Sequence, residues 1–144
     1  MAEEHFYQVE VNWKNNRNGI LSSEVLDKKL TIATPPEFTK GEPNIWSPEH
    51  YYLAAINGCL LTTFLAIAED YKLNFIDFQS SAVGKLEMVD KKYMISEVFL
   101  KPVIIIAEEV DRELAQKVIE KAERACLISN SVKSEIAMEA IIKL

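Results

Sequence analysis

Hydrophobic and polar positions alternate at both ends of this chain and merge into one long apolar block between them. Residues 5–13 set Phe6, Gln8 and Glu10 against Tyr7, Val9 and Val11, a period of two that predicts a half-buried strand. The polar run Lys14-Asn15-Asn16-Arg17-Asn18-Gly19 predicts a loop around its Asn-Gly pair. Residues 20–25 and 29–33 read as two further short strands about a turn at Leu26-Asp27-Lys28. Residues 34–45 hold three prolines and one glycine and predict an irregular loop.

Ser47-Pro48-Glu49 then opens a helix. Serine caps, proline fits the first helical position, and glutamate favours the positive end of the helix dipole. No proline interrupts the chain before about Tyr71. From Tyr52 to Ala68 the helix is apolar on nearly every side, the pattern of a helix buried all round. A domain of this size can hardly encase such a helix alone, which predicts that a second copy supplies part of the cover. Residues 75–89 and 93–107 predict a long hairpin turning at Asp90-Lys91-Lys92. Pro102 places the second strand at an edge or at a bulge. Residues 109–125 have helical spacing, with Val110, Leu114, Val118, Ile119 and Ala122 on one face and Cys126 at the C-terminal end. Ser129-Asn130-Ser131 is a turn. Residues 135–144 close in alternation, with Ile136, Met138, Ala140, Ile142 and Leu144 on one face. The order predicts an α+β fold and a single domain over residues 1–144.

Composition narrows the function classes. The chain has 144 residues, 49% hydrophobic and 26% charged, which is ordinary for a globular protein with a core. A net charge of −6 with no basic stripe argues against nucleic acid as a partner. The longest apolar run, around Leu60 to Ala68, is too short to span a bilayer. The start MAEEHFYQVE has no basic or apolar leader pattern, so the expected location is the cytoplasm. Two distant histidines and two cysteines without CxxC spacing predict no metal site. The chain carries no GxGxxG, P-loop or GxSxG motif, and no cofactor is expected.

The two cysteines carry the chemistry. Cys59 follows Asn57-Gly58, two poor choices for a helix interior, whose small size and polarity suggest a close approach by another group. Cys126 lies where a helix gives way to a polar turn, a position that can move. A reactive cysteine must be a thiolate, and mid-helix Cys59 gets little help from the dipole. It needs a positive charge nearby. His5 and His50 are the only histidines; an arginine, always charged, would serve at neutral pH. Arg17 lies in a polar loop, and Glu49 at the helix start can hold a guanidinium through paired hydrogen bonds. Ten residues of helix separate Glu49 from Cys59, a rise of about 15 Å. For Glu49 to serve Cys59, the helix must break or the glutamate must come from another chain.

The SPE-(nine residues)-C block at 47–59 and KAERACLISNS at 121–131 resemble the OsmC/Ohr family of organic hydroperoxide-reducing proteins. The NRNG loop, GKLE at 84–87 and the terminal alternating strand extend the resemblance over nearly the whole chain. It implies an OsmC-like fold: an intertwined homodimer with two β-sheets around two long central helices and an active site at each subunit interface. It implies that Cys59 is the peroxidatic cysteine and Cys126 the resolving one. Glu49 matches the family's active-site glutamate, and Arg17 matches the arginine that the Ohr branch carries in its N-terminal loop. The implied substrate is an organic hydroperoxide. The implied reductant is an external dithiol, a lipoyl protein among the candidates, and no cofactor is required. Two departures stand out: Leu127 replaces the proline that often follows the second cysteine, and Trp46, His50, Tyr51 and Tyr52 make the helix start bulkier. A small-ligand binding or redox-sensing module, and a structural dimer with inert thiols, are the alternative readings. They differ in whether Cys59 is reactive and can reach Cys126.

Overall fold

The computed structural model describes residues 3–144. The chain divides into two compact units, one ending at Tyr51 and one spanning Tyr52–Leu144.

The first unit is built on an antiparallel sheet of β1 (Glu10–Asn15), β2 (Asn18–Ser23) and β3 (Leu26–Ala33), in that order. β1 starts five residues later than its alternation predicts, and it is exposed along its length rather than half-buried. In the β1–β2 turn it is Asn16 that takes a left-handed conformation, at φ 44°, which asparagine tolerates better than most side chains. The Asn18-Gly19 pair, predicted in the loop, lies instead in β2. A Cβ on Gly19 would stand 2.7 Å from the Asn12 carbonyl oxygen, so close strand packing, not turn geometry, requires that glycine. The next turn is at Glu24-Val25, ahead of the predicted Leu26-Asp27-Lys28, with Ser23 opposite Leu26. The Pro-rich segment is irregular as predicted. Its course is fixed by the Ala33 amide donating to the Trp46 carbonyl (3.0 Å) and the Glu42 amide donating to that of Thr34 (2.9 Å).

Helix α1 (Pro48–Asp70) starts at the end of the first unit and runs through the second. Its boundaries agree with the sequence signals at both ends. Only Ile56, Leu60, Phe64 and Ala68 are buried, a stripe of every fourth residue. They join Val98, Leu100, Ile104 and Ile106 of the neighbouring sheet in one core. The Phe64 ring is central, 5.1 Å from that of Phe75 and 4.8 Å from that of Phe78. Burial on every side, expected from composition, is not met by this chain: Leu61 and Leu65 are 37% and 42% exposed. The helix as a whole exceeds the uninterrupted apolar run of the sequence. At 23 residues it is long and apolar enough to cross a membrane by length and composition, although its buried stripe is that of a core helix.

The second unit's sheet is a hairpin of β4 (Phe75–Val89) and β5 (Lys92–Ile106), extended by β6 (Glu135–Met138) and β7 (Ile141–Lys143), both parallel to β5. The hairpin turns at Asp90 and Lys91, both left-handed at φ 48° and 67°, the combination whose twist matches that of paired strands. Pro102 corrects the sequence reading. β5 is central, and its register shifts fall at Phe75/Asp77 and Lys85/Leu86, away from the proline. Pro102 lies instead between Leu100, paired with the last residue of β6, and Val103, paired with the first of β7. The missing N–H therefore falls where the flanking strand is itself interrupted. That interruption, at Glu139-Ala140, also splits the predicted terminal strand in two; the Glu139 amide reaches the Leu100 carbonyl at 2.9 Å.

The predicted helix at 109–125 becomes a 3₁₀ turn, Glu109–Asp111, followed by α2 (Arg112–Ala125). The turn rotates Val110 outward, 79% exposed, and Ala115 joins Val118, Ile119 and Ala122 on the buried face. Phe64→Ala should cost about 3–5 kcal/mol of unfolding free energy, the price of emptying a large aromatic site. Urea denaturation followed by circular dichroism measures this directly.

Candidate functional site

Within the second unit, α1 and the end of α2 bring the two cysteines together. Cys59 precedes Leu60 of the buried stripe and is therefore half-buried at its flank; Cys126 is fully buried. Both are free thiols. α2 stops at Cys126, where the backbone turns extended (φ −64°, ψ 109°). The turn predicted at Ser129-Asn130-Ser131 is present as a single 3₁₀ turn, and the segment is wound tightly. Asn130 donates its amide to the Cys126 carbonyl (3.0 Å) and Ser131 donates its amide to that of Ile128 (2.9 Å). The Ser131 hydroxyl donates to the Leu127 carbonyl at 2.8 Å, and the Asn130 side chain to that of Arg124 at 3.3 Å.

This segment faces Cys59. Burial works against a charged Cys59, but four hydrogen bonds outweigh it: from the Cys126 thiol, the Ile128 amide, the Thr63 hydroxyl and the Leu127 amide. The thiol is held below its ordinary value. Thr63 lies one helical turn on, with its Oγ1 3.7 Å from the Cys59 Sγ. Cys126 is shifted the opposite way. Burial pushes it up, and Cys59 adds to the effect, while Ser129 partly offsets both. The two neighbouring sulfurs are thus shifted in opposite directions, Cys59 toward easier ionisation and Cys126 away from it.

The small residues before Cys59 have separate explanations. The Asn57 side-chain amide donates to the Ser80 carbonyl of β4 at 2.8 Å, opposite Pro102, which has no N–H to give. Among the described residues, nothing beyond its chain neighbours and the helix's own backbone lies within 4 Å of where a Cβ on Gly58 would stand, so none of them makes the close approach expected there.

Arg17 and Glu49 belong to the first unit. The Arg17 backbone amide donates to Glu42 Oε2 at 3.0 Å, and Glu42 also accepts from Asn18. A groove of about 520 Å³ is lined by Asn16, Arg17, Lys40 and Glu42. Among the described residues no ion pair joins Arg17 to Glu49. The Glu49 Oε1 atom is buried without a hydrogen-bond partner there, an arrangement that costs free energy until a donor is supplied. The helix start itself is well held. The buried Ser47 hydroxyl accepts the His50 amide at 3.2 Å, and the Ser47 amide donates back to His50 Nδ1 at 3.4 Å, so His50 fills the reciprocal role usually taken by glutamate. His5 has its own partner in Glu3 at 3.4 Å. Among the described residues no three His, Cys, Asp or Glu side chains gather as a metal site.

The family model for OsmC-like protein matches residues 41–140, taking in Glu49 and both cysteines. The chain belongs to the OsmC-like family. It is 29% identical over 149 residues to the uncharacterized protein YmaD of Bacillus subtilis (strain 168), covering all of this chain and 98% of that protein. In structure it resembles an OsmC-like protein of unknown function from Vibrio cholerae O1 biovar eltor, with a TM-score of 0.86 and 22% identity, covering 96% of this chain and 100% of that one. It also resembles an organic hydroperoxide resistance protein from Elizabethkingia anophelis, with a TM-score of 0.78 and 19% identity over 99% of both chains. These likenesses establish the OsmC-like α+β fold expected from the sequence.

Reading the OsmC-like sequence in order missed three groups at Cys59. Thr63 was open to inference, since a hydroxyl four residues on shares a helix face with the cysteine. The Leu127 and Ile128 amides left no signal, because any residue but proline carries that donor. In the reduced protein, alkylation of Cys59 should rise with pH about a midpoint below the ordinary thiol value of 9.0. Cys126 should titrate above it, so at pH 7 iodoacetamide should label Cys59 first. Peptide mass spectrometry across a pH series checks both.

Proposed function

We propose that this OsmC-like protein is a thiol-dependent peroxidase that reduces organic hydroperoxides to alcohols. One observation carries the reading: two free thiols, one half-buried on the flank of α1 and one buried at the end of α2, neighbour each other with their acidities shifted in opposite directions. The Cys59 thiolate attacks the distal peroxide oxygen. The O–O bond breaks, the alkoxide leaves and takes a proton as the alcohol, and Cys59 becomes a sulfenic acid. Cys126 attacks that sulfur, expelling the hydroxyl as water and closing a Cys59–Cys126 disulfide. An external dithiol reduces the disulfide by exchange and is itself oxidised. The similar fold of an organic hydroperoxide resistance protein agrees with this substrate class. Two free thiols suit a reducing compartment such as the cytoplasm.

In this reading the working unit is a homodimer. The apolar residues of α1 that the chain leaves uncovered, Leu61 and Leu65 among them, support a second copy. So does the open space at Gly58. Arg17 orients the peroxide and stabilises the thiolate, and Glu49 holds the guanidinium, using its unpartnered oxygen.

With cumene hydroperoxide and dihydrolipoamide, the wild-type protein should turn over, and Cys59→Ser should be inactive. Cys126→Ser should complete one oxidation, leaving a sulfenic acid that a dimedone probe traps. Arg17→Ala should lower kcat/KM by at least about tenfold, the scale of one charged hydrogen bond. Absence of turnover with any dithiol, together with full retention of free thiols after peroxide, would remove the peroxidase reading.

A further inference from the structure

We propose that the groove between the end of α1 and the last turns of α2 docks an acidic segment of the protein that carries the reducing dithiol. This deepens the peroxidase reading and rests on its Cys59–Cys126 disulfide, but the docking itself is measurable without peroxide.

The groove lies on the same flank of α1 as Cys59. Cys59, Thr63, Ile67 and Tyr71 follow one another at four-residue spacing, and all four are half-buried. Each of the first three precedes a residue of the buried stripe. The flank ends where α1 ends. The Leu73 amide donates to the Ala68 carbonyl at 2.9 Å and the Lys72 amide to that of Glu69 at 3.1 Å, about a left-handed Lys72 at φ 54°. These two bonds close the helix and hold Tyr71 at its cap. α2 supplies the other wall. Ile67, Asp70 and Tyr71 on one side, with Lys121, Arg124 and Ala125 on the other, line an open groove of about 420 Å³. Ala125 directly precedes Cys126, so one end of the groove adjoins the second thiol's place in the chain.

Charge identifies the occupant. Lys117, Lys121 and Arg124 share one face of α2, and Glu113, Gln116, Glu120 and Glu123 share the next, so the exposed side of the helix is divided into a basic and an acidic row. Lys117 Nζ stands 5.5 Å from the centre of the Tyr71 ring and Lys121 Nζ 5.4 Å, two cations held against one aromatic ring. The acidic row does not neutralise them. Among the described residues, no ion pair joins Lys117, Lys121 or Arg124 to a carboxylate. Glu120 is engaged instead by the Gln116 side chain at 3.0 Å. Asp70 is the one carboxylate in the lining. Lys117 to Arg124 span seven residues of helix, about 10 Å, a longer row than one small anion fills. Ile67, Ala125 and the Tyr71 ring place apolar surface beside that row. A segment with several carboxylates and short apolar side chains matches both. On a chain of net charge −6, a basic patch also steers an acidic partner to one place.

A partner held there presents its dithiol to the Cys59–Cys126 disulfide. One of its thiolates attacks a sulfur of that disulfide, forming a mixed disulfide and releasing the other protein sulfur as a thiolate. The partner's second thiol then closes its own disulfide and releases the remaining protein sulfur. Two electrons and two protons pass from partner to protein, leaving both cysteines as thiols.

Two synthetic peptides serve as probes, one glutamate-rich and one lysine-rich, each made with a dithiol and also with serines in place of its cysteines. Fluorescence anisotropy of the serine forms reads docking alone. The glutamate peptide should bind, more weakly as salt rises. Lys121→Glu/Arg124→Glu should weaken it by about tenfold or more and favour the lysine peptide instead. Lys28→Glu/Lys29→Glu on β3 changes the net charge equally and should leave binding within about twofold. With the disulfide formed by diamide, the glutamate dithiol should reduce it about tenfold faster than the lysine dithiol, and the charge-reversed groove should invert that order. Dithiothreitol, which is uncharged, should reduce both proteins at the same rate. Lys117→Gln/Lys121→Gln makes the same comparison should the charge-reversed protein fail to fold. Equal binding of the two peptides, or an equal loss in the β3 variant, would overturn the docking site. The two proposals fail separately. A glutamate peptide that docks on the wild type and not on the charge-reversed groove, without peroxide turnover, would keep the acidic-partner site and remove the peroxidase. Turnover with no preference between the peptides would do the reverse.

Discussion

Everything at the thiol site depends on one packing contact: the Ile56, Leu60, Phe64 and Ala68 stripe of α1 laid against the second unit's sheet. The stripe fixes the rotation of α1 about its axis. Because Cys59 and Thr63 each precede a stripe residue, that rotation sets both on its flank, partly shielded but not sealed. The same core includes Ala115, Val118, Ile119 and Ala122 of α2, so the end of α2 is held in a fixed relation to the flank. Burial of these side chains is worth roughly 1.5–3 kcal/mol each for the larger ones, enough to hold such a geometry against the entropy of a flexible loop.

Chemistry then follows from local hydrogen bonding. The two cysteines are the same group in environments that differ in one respect. Cys59 is half-buried and hydrogen bonds outweigh its burial, whereas Cys126 is fully buried and its burial outweighs the hydrogen bonds from Ser129. The asymmetry gives each sulfur a separate role, because only the thiolate is an effective nucleophile. The first unit contributes different features, a well-capped helix start and a glutamate oxygen with no donor of its own among the described residues. Such an oxygen is what a complementary guanidinium would satisfy.

Much of this was legible in the residues. Ser47-Pro48-Glu49 marked the start of α1, and the Asp90-Lys91 turn emerged from two long apolar runs. The paired cysteine blocks pointed to the OsmC-like fold that the comparisons establish. The errors share a cause. Pro102 suggested an edge because the sequence cannot show that β6 and β7 leave a break opposite it. Val110 was assigned to the buried face because periodicity does not register a 3₁₀ turn that rotates the first residues of a helix. Residues 135–144 alternate cleanly, yet they form two strands, since alternation is blind to where a partner strand ends.

By itself, then, the sequence determined the elements, the identity of the two thiols and the family, because capping, periodicity and motif spacing are local properties of the chain. Tertiary structure alone decided that Cys126 stands beside Cys59 and that the Thr63 hydroxyl lies 3.7 Å from the Cys59 sulfur. Those facts depend on how α2 ends and on which side of α1 faces the core. The rotation was not legible because α1 is apolar on nearly every side, so no polar face marks which stripe is buried, and where α2 ends is set by how the chain packs beyond it.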